Sequence, residues 1–334
     1  MTFLVAALVL IVTAALAYLG TRVLLPVLRA RAMLDFPNER SSHKVPTPRG
    51  GGIAVLAVLL AAWIGIGGSL GEPVLRVWGL PAAAFVLAAV SFLDDLKGLG
   101  PLVRLAVQAV VVGVVLYAIP ADGFYFQGLL PAVLDSIVAG ILWVWFINLF
   151  NFMDGIDGIS GVETFSIGIG VGVIVSLGGG FENQAVAYYG MAAAGTALGF
   201  LKMNWDPAKI FMGDVGSVPL GFLLGWLLLS LAASGAWAAA IIVPSYYLCD
   251  ATVTLCRRAA RGEKIWRPHR QHFYQVAVQR GMDHGAVALG VLSVNGALVI
   301  LAAVAMSGQE MKALAAAAVV NVLFLFRLSQ GAEQ

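Results

Sequence analysis

Six aspartates of this sequence stand in short polar stretches between long apolar segments. Two of them, Asp94 and Asp95, are adjacent. Adjacent carboxylates can share a divalent cation, or one can act as a base while the other binds a ligand. The structural alternative is a pair that ends a helix, but negative charge is unfavourable at a helix C-terminus. The pair is therefore a poor cap, and we interpret it as functional.

A second polar stretch, residues 148–161, carries Asn148, Asn151, Asp154 and Asp157. The last three recur every third residue, so they share one face if the stretch is helical. If its glycines break the helix, they line a loop instead. Either form presents amides and carboxylates suited to a base, a ribose or a metal. The structural alternative is a polar hairpin in which Asp157 caps the next helix.

A third stretch, residues 204–217, contains Asn204, Phe211 and Asp214. Glycines on both sides of Asp214 free its backbone. A helix N-terminus follows, and helix N-termini readily bind anions. Plain capping of that helix by Asp214 is the structural alternative. We interpret the stretch as part of a site for an anionic ligand.

The first loop combines Lys44 and Arg49 with three consecutive glycines, Gly50 to Gly52. Three glycines entering a helix allow backbone N–H groups to approach a phosphate closely, and nearby cations neutralise it. The structural alternative is a turn-rich loop whose charges reflect only membrane topology.

The last long loop carries Arg267, His269, Arg270 and His272. A zinc site is disfavoured because neither a cysteine nor a further histidine lies near them in sequence. A basic loop of this kind suits a pyrophosphate or a lipid phosphate. Contact with anionic membrane lipids is the alternative.

The composition defines the class of protein. The chain has 334 residues, of which 60% are hydrophobic and 11% charged, whereas an ordinary soluble domain carries about 25% charged residues. This excludes a soluble enzyme, a disordered protein and a nucleic-acid binder, and it indicates a polytopic membrane protein. The two cysteines, Cys249 and Cys256, have no disulfide or metal-ligand pattern and are interpreted as free thiols.

The fold class is therefore an all-α polytopic integral membrane protein. About 20 apolar residues cross a bilayer, which predicts about 11 transmembrane helices. Their ranges are 3–28, 52–70, 76–93, 102–119, 131–149, 160–178, 185–203, 217–233, 236–255, 285–306 and 312–328. The chain forms one domain, 1–334, with active-site loops at 29–51, 94–101, 150–159, 204–216 and 256–284.

The loop charges predict the orientation. Most lysines and arginines fall on one side, which the positive-inside rule makes cytoplasmic. They are Arg29, Arg31, Arg40, Lys44, Arg49, Lys97, Arg104, Lys202, Lys209 and a cluster from Arg257 to Arg280. The N-terminus is then periplasmic and the C-terminus cytoplasmic.

The six aspartates fall on the same basic side, at the ends of helices. They are Asp94, Asp95, Asp154, Asp157, Asp206 and Asp214. A transporter of nucleotide- or lipid-linked sugars is the alternative to an enzyme, but transporters keep ionisable groups near the bilayer midplane. The predicted spans are nearly free of charge, so we expect chemistry at the cytoplasmic membrane surface. Pro244 should bend a late span, either opening a lateral groove for a lipid tail or only serving packing.

Four motifs in this order resemble a known family. They are Asp94-Asp95, Asn151-Phe-Met-Asp154-Gly-Ile-Asp157-Gly, Phe211-Met-Gly-Asp214-Val-Gly-Ser217 and the basic loop with its histidines. Together they resemble the polyprenyl-phosphate N-acetylhexosamine-1-phosphate transferases, the MraY/WecA superfamily or glycosyltransferase family 4, over nearly the whole chain. The stretch 40–52 resembles the WecA/WbpL branch. His269-Arg-Gln-His272 replaces the consecutive histidines of MraY, which argues against a muramoyl-pentapeptide substrate.

The resemblance implies an activity. Such an enzyme transfers an N-acetylhexosamine-1-phosphate from a UDP-sugar to undecaprenyl phosphate and releases UMP. The sugar would be GlcNAc, GalNAc, FucNAc or QuiNAc, and the step would begin O-antigen, lipopolysaccharide or related cell-envelope glycan synthesis. The resemblance further implies Mg²⁺, with Mn²⁺ as a substitute, a location in the bacterial inner membrane among its lipids, and a homodimer.

The resemblance also implies residue roles. Catalysis falls to Asp94, Asp95, Asp214, His269 and His272, and Asp214 with Asp95 would hold the metal. Which of Asp94 and Asp95 acts as base or ligand stays open, as do the roles of the two histidines. The ring of Phe211 would stack on uracil. The implied substrate-binding residues are Lys44, Arg49, Asn148, Asn151, Asp154, Asp157, Asn204, Phe211, Arg267 and Arg270.

Overall fold

A computed structural model describes residues 3–37, 45–121, 123–178, 184–264 and 269–332. In these ranges, short loops connect thirteen helices, and one small two-stranded sheet accompanies them. The helices are α1 (Phe3–Ala30), α2 (Gly52–Leu70), α3 (Val74–Lys97), α4 (Pro101–Ala118), α5 (Ala132–Phe152), α6 (Ile159–Leu177), α7 (Gln184–Asn204), α8 (Asp214–Ala233), α9 (Trp237–Ile242), α10 (Ser245–Ala260), α11 (Phe273–Gln279), α12 (His284–Ala305) and α13 (Glu310–Gln330).

The prediction of an all-α polytopic membrane protein is confirmed. Among the described residues, nine helices are long and apolar enough to cross a membrane: α1 to α6, α8, α12 and α13. The predicted span 185–203 forms α7, which is equally long but less apolar. The predicted span 236–255 is divided between α9 and α10. The count of eleven and the sides on which the termini lie therefore stay predictions.

Pro244 causes the division between α9 and α10. Proline lacks the N–H that would continue the helical hydrogen bonds, and its ring clashes with the preceding turn. The chain accordingly leaves the helix after Ile242 and resumes it at Ser245. The helix is thus interrupted at Pro244, where the sequence predicts a bend.

The centre of the bundle consists of α6, α7 and α8. In the most apolar stretch of each helix, 89% of the residues of α8 and 78% of the residues of α6 are buried, whereas only 17% are buried in α1. Small residues allow the close packing, as expected where helices meet in a membrane. A side chain on Gly168 of α6, for example, would meet the carbonyl oxygen of Gly190 in α7 at 2.4 Å. The peripheral helices expose apolar side chains, as lipid contact requires.

The sheet lies at the end of the bundle that carries the aspartate motifs. Its strands β1 (Leu34–Asp35) and β2 (Thr47–Pro48) pair in antiparallel fashion. Directly after β2, Arg49 forms a parallel bridge with Phe211, and the N–H of Phe211 donates to the carbonyl oxygen of Pro48 at 2.8 Å. The first loop and the loop before α8 are thus joined through their backbones.

Candidate active site

The site lies where the N-terminus of α8 meets the end of α3 and the start of α2. Asp214 is the first residue of α8, and Gly213 before it has φ +74°, which glycine adopts without strain. Nη2 of Arg49 donates to Asp214 Oδ1 at 2.5 Å and lies 3.3 Å from Asp95 Oδ1. Arg49 therefore joins carboxylates from two different motifs.

Arg104 connects the other member of the aspartate pair to the same site. Its Nη1 donates to Asp94 Oδ2 at 2.8 Å and lies 3.7 Å from Asp214 Oδ2. The sequence analysis counted Arg104 only as a charge on the basic side of the membrane. The available signal was its position in the first turn of α4, which follows Asp94 after the short turn 98–100.

The electrostatics of the site are dominated by these ion pairs. Burial by itself would lower the pKa of Arg49, but the nearby carboxylates, Asp214 and Asp95 foremost, raise it above its ordinary value. Arg49 is therefore firmly charged. Fixed guanidinium groups lie among several carboxylates, an arrangement that suits phosphate groups bound together with a divalent cation.

Asp154 belongs to the same electrostatic cluster. It lies in the loop between α5 and α6, where the hydroxyl of Ser160 donates to its Oδ1. Burial raises the pKa of Asp154 to about 6, and the charge of Asp214 adds to this, whereas the Ser160 hydrogen bond and Arg49 lower it. The charge of Asp154 thus changes close to neutral pH.

Asn151 and Phe211 are brought to the site by different means. The hydroxyl of Ser217 in α8 donates to Asn151 Oδ1 at 2.6 Å, which fastens the end of α5 to the start of α8. The partly exposed Phe211 is held by its backbone bridge to Arg49. Contact of either residue with a substrate stays a prediction.

The three glycines of the first loop do not form a phosphate cradle. The N–H groups of Gly50 and Gly51 donate to the carbonyl oxygen of Phe211, and that of Gly52 donates to Met212. A Cβ on Gly52 would lie 2.2 Å from the Cα of Gly216. The interpretation of these glycines as phosphate ligands was wrong, because they serve the close contact between α2 and α8.

Asn148 is directed into the bundle. Its Nδ2 donates to Gln108 Oε1 at 2.6 Å and to the carbonyl oxygen of Val144 at 2.8 Å. Both amide hydrogens are thus used between α4 and α5. The amide N–H groups of Asn148 are therefore poor ligand groups, and its predicted part in substrate binding, which would fall to Oδ1, stays a prediction.

Asp157 and Asn204 belong to a second cluster near the N-terminus of α12. Asp157 Oδ2 accepts from the N–H of Ala208 at 2.9 Å, and its Oδ1 lies 3.3 Å from His284 Nδ1. The amide of Asn204 accepts from Gly158 and donates to Ile210. These bonds brace the loops on either side of the site, and substrate contact by Asp157 and Asn204 stays a prediction.

Asp206 completes the second cluster. Its Oδ2 accepts from the N–H of Gly285 at 3.0 Å, and ligand atoms of Asp157, Asp206 and His284 lie within 4.8 Å of one another. Both carboxylates accept from backbone N–H groups, and His284 Nδ1 lies 3.3 Å from the N–H of Asp157, which donates to it. We therefore interpret this cluster as a brace. The sequence analysis did not single out His284.

His269, Arg270 and His272 lie in the basic segment (His269–His272), directly before α11. His272 is 2% exposed, and its ring centroid lies 4.7 Å from that of His269. This burial corrects the prediction that His272 touches substrate. Burial, followed by the nearby His272 and Arg258, lowers the pKa of His269 to about 4. His269 is therefore uncharged at neutral pH, and it and Arg270 are the half-buried members of the segment.

Tyr274 of α11 ties this segment to the site. Its hydroxyl donates to the carbonyl oxygen of Phe152 at 3.0 Å, and a Cβ on Gly155 would lie 2.2 Å from that hydroxyl oxygen. α11 therefore packs directly on the loop that carries Asp154. Two further predicted ligands, Lys44 and Arg267, lie outside the described residues.

The residues present fit a magnesium ion. Magnesium prefers oxygen ligands and is usually held by one or two carboxylates together with substrate phosphates. Asp214 and Asp95 supply two such carboxylates on the two sides of Arg49. Arg49 is the cation that both carboxylates share, and a bound metal ion would take its place between them.

Comparison with known proteins identifies the family of this chain. Residues 77–232, from α3 to α8, match the model of glycosyl transferase family 4. A decaprenyl-phosphate N-acetylglucosaminephosphotransferase of Mycolicibacterium smegmatis is 30% identical over 292 residues, which cover 76% of this chain and 70% of that protein. An undecaprenyl-phosphate alpha-N-acetylglucosaminyl 1-phosphate transferase of Yersinia pestis is 30% identical over 267 residues, or 75% and 70% of the two chains.

A third relative matches a shorter part of the chain. A phospho-N-acetylmuramoyl-pentapeptide-transferase of Streptococcus thermophilus is 30% identical over 227 residues, which cover 58% of this chain and 63% of that protein. The chain belongs to glycosyl transferase family 4, in the superfamily of polyprenyl-phosphate N-acetylhexosamine-1-phosphate transferases. The resemblance stated from the motifs is confirmed.

Proposed function

We propose that this protein transfers an N-acetylhexosamine-1-phosphate from a UDP-sugar to undecaprenyl phosphate, giving undecaprenyl-pyrophosphoryl-sugar and UMP. One observation carries the proposal: Asp94, Asp95 and Asp214 meet Arg49 and Arg104 at one end of a helical membrane domain. The names of the relatives, which act on decaprenyl or undecaprenyl phosphate, support it.

The chemistry requires two anions to approach each other. An oxygen of the lipid phosphate attacks the β-phosphorus of the UDP-sugar, and the bond from that phosphorus to the bridging oxygen breaks, so that UMP leaves. Arg49 and Arg104 would neutralise the phosphates and hold them in line. The lipid phosphate is already largely ionised at neutral pH. Asp94 or Asp95 therefore needs only to position it, and a strong base is unnecessary.

Asp214 and Asp95 are the residues that would hold Mg²⁺ or Mn²⁺. The ion would supply charge neutralisation between the donor diphosphate and the acceptor phosphate. Arg49 bridges the same two carboxylates, so it would turn from them toward a substrate phosphate. Asp154 adds negative charge beside Asp214, which favours cation binding once it is ionised.

A groove on the outer face of α4 and α5 suits the polyprenyl chain. It encloses about 790 Å³. Its lining is largely apolar, including Val112 of α4 and Ile141 of α5, and it reaches Leu105. Leu105 directly follows Arg104, which contacts Asp94 and Asp214. A lipid whose phosphate meets Arg104 would therefore have its tail in this groove.

The finer assignments follow from the same reasoning. Phe211 would stack on the uracil ring, with His269 and Arg270 at the diphosphate or the sugar. The site would face the cytoplasm from the bacterial inner membrane, with the N-terminus periplasmic and the C-terminus cytoplasmic. The product would begin an O-antigen or related envelope glycan. GlcNAc, GalNAc, FucNAc and QuiNAc differ by single hydroxyls or their configuration, and a few polar contacts select among them.

The test is UMP release by the purified protein in nanodiscs with Mg²⁺ and a panel of UDP-N-acetylhexosamines. We expect UMP only when undecaprenyl phosphate is present, and the best donor identifies the sugar. Asp214→Asn, which keeps the shape of the side chain, is the matched control. UMP release without lipid phosphate would contradict the proposal. Sugar flux into proteoliposomes without any product would instead indicate a transporter.

A further inference from the structure

Asp250 is a fully buried carboxylate of α10 with no role in the reaction described above. A buried carboxylate is unfavourable unless hydrogen bonds compensate it. Asp250 accepts from two side chains of its own helix, Tyr246 at 3.3 Å and Thr254 at 3.4 Å. Its other donors belong to a different part of the chain.

Those donors lie at the beginning of α11. The N–H of Phe273 donates to Asp250 Oδ1 at 2.9 Å, and the N–H of Tyr274 donates to Oδ2 at 3.2 Å. The first N–H groups of a helix lack partners within the helix, and a seven-residue helix is not stable by itself. Asp250 therefore fixes where α11 begins.

The ring of His272 is the remaining partner of Asp250. Its Nδ1 lies 3.3 Å from Asp250 Oδ1. The His272 side chain also takes part in the capping box of α11, where it accepts from the backbone N–H of Gln275. Asp250 Oδ1 beside Nδ1 competes with that bond, because a carboxylate favours a proton on the nearest ring nitrogen and orients the ring. The other faces of His272 meet the rings of His269 and Tyr274, at centroid distances of 4.7 and 5.7 Å. His272 thus contacts Asp250 on one side and His269 of the basic segment on the other, so the position of Asp250 affects that of the segment.

We propose that Asp250 is a positioning residue, which fixes the tautomer and orientation of His272 and thereby holds the basic segment at the edge of the active site. Tyr274 provides the geometric link, since its backbone is bound by Asp250 and its hydroxyl by Phe152 beside the Asp154 loop. The expected loss of kcat rests on the proposed transferase reaction. The positioning of His272 and of the basic segment by Asp250 does not depend on that reaction.

The kinetic test is a double-mutant cycle. Asp250→Asn keeps the shape of the side chain but loses one acceptor, and His272→Gln loses the donor at Nδ1. We expect each to lower kcat by about 10- to 100-fold, as is usual when a supporting hydrogen bond is removed. If Asp250 acts through His272, the double variant is no slower than the slower single variant. Effects that multiply would overturn the proposal.

Asp135→Asn is the matched control. Asp135 is also a buried carboxylate, and it accepts from the backbone N–H groups of Tyr125 and Phe126 at 3.0 and 2.9 Å. Like Asp250, Asp135 is a carboxylate that accepts from two backbone N–H groups, but neither of these bonds involves a histidine. Combined with His272→Gln, Asp135→Asn should give the product of the two single effects, as independent sites do.

A second variant pair keeps Asp250 intact in case Asp250→Asn fails to fold. The side-chain amide N–H of Asn reaches the position of Nδ1–H, whereas that of Gln reaches the position of the distal ring nitrogen. We expect His272→Asn to be about tenfold more active than His272→Gln, because it restores the bond to Asp250. Equal losses in the two variants would overturn the proposal.

The tautomer of His272 is measured by NMR spectroscopy, which requires no catalytic activity. The chain has four histidines, so ¹⁵N-histidine spectra in nanodiscs are simple, and loss of a signal in His272→Gln assigns His272. We expect the Nδ1–H form in the native protein, a changed tautomer in Asp250→Asn and no change in Asp135→Asn. An unchanged His272 signal in Asp250→Asn would overturn the proposal. If the native protein releases no UMP but the tautomer changes as expected, the proposed function fails and the positioning by Asp250 does not.

Discussion

Arg49 and Asp214 are 165 residues apart in the chain, and the guanidinium of Arg49 donates to the carboxylate of Asp214 at 2.5 Å. The same nitrogen lies 3.3 Å from Asp95. A single arginine thus holds two carboxylates that the proposed reaction assigns to a metal ion. Its position depends on the backbone bridge to Phe211 and on the contact between α2 and α8. Catalytic geometry here is therefore inseparable from helix packing.

Replacement of Asp214 should abolish most transfer. We expect Asp214→Ala and Asp214→Asn to lower the rate of UMP release by roughly 10²- to 10⁴-fold, the range seen when a positioned catalytic group is removed. The thermal unfolding midpoint of each variant, compared with that of the native protein, provides the check that the variants remain folded. Near-normal turnover in either variant would remove Asp214 from the mechanism.

Arg49 should compete with the metal ion. Removing its charge by Arg49→Gln leaves Asp214 and Asp95 without the cation that they share, so Mn²⁺ should bind roughly three- to tenfold more tightly. Transfer should nevertheless become slower, because a phosphate loses its guanidinium partner. Mn²⁺ binding is followed by electron paramagnetic resonance, and turnover by UMP release in Mg²⁺. Unchanged Mn²⁺ affinity, or full activity of the native protein in excess EDTA, would contradict this arrangement.

Transfer should weaken as the pH falls through about 6. The pKa of Asp154 is raised to about 6, chiefly by burial, so below that pH the carboxyl is protonated and no longer favours a cation beside Asp214. The Ser160 hydrogen bond lowers this pKa. Ser160→Ala should therefore raise the pKa further and move the acidic limb of the pH–rate profile to higher pH. A limb that stays in place or moves to lower pH would disprove the role of Asp154.

The contact between Gly52 and Gly216 should tolerate no side chain. A Cβ on Gly52 would lie 2.2 Å from the Cα of Gly216, so Gly52→Ala must push α2 away from α8 and displace Arg49. Overpacking of this kind destabilises by about 1–3 kcal/mol. We expect a lower thermal midpoint and a loss of transfer. Gly65→Ala in the same helix is the control, since nothing lies within 4 Å of its Cβ.

The helices and the members of the ion-pair cluster differ in how far the sequence predicts them. Long apolar runs located ten of the described helices, α1 to α8, α12 and α13, because length and hydropathy alone satisfy the bilayer. The start of α8 was placed three residues late, at 217 instead of Asp214. Its polar first turn lies outside the apolar run, although Asp214 itself is helical. Hydropathy locates the membrane part of a helix and misses a catalytic first turn.

The partners of the site were harder to predict than its carboxylates. Asp94, Asp95 and Asp214 stand out by type, whereas Arg104 resembles any positive-inside charge until the turn before α4 brings it to Asp94. The prediction that Gly52 binds a phosphate was wrong for a related reason. Glycine serves both phosphate cradles and close helix contacts, and only the neighbouring Gly216 decides between them. The buried Asp250 likewise has its partner 22 residues away, at His272.

Filling the groove between α4 and α5 should impair the use of the lipid substrate alone. Gly113 lines this groove, and nothing lies within 4 Å of a Cβ built on it. Gly113→Trp should therefore fold and yet occupy the space of the polyprenyl chain. Because a lipid tail loses no water on moving from the bilayer into a groove, only packing favours the site. We expect the KM for undecaprenyl phosphate to rise by only about three- to tenfold, with the KM for the UDP-sugar unchanged.

Gly296→Trp in α12 is the control, since its Cβ position is equally open and Gly296 does not line the groove. The same rise in both variants, or none in Gly113→Trp, would place the chain elsewhere.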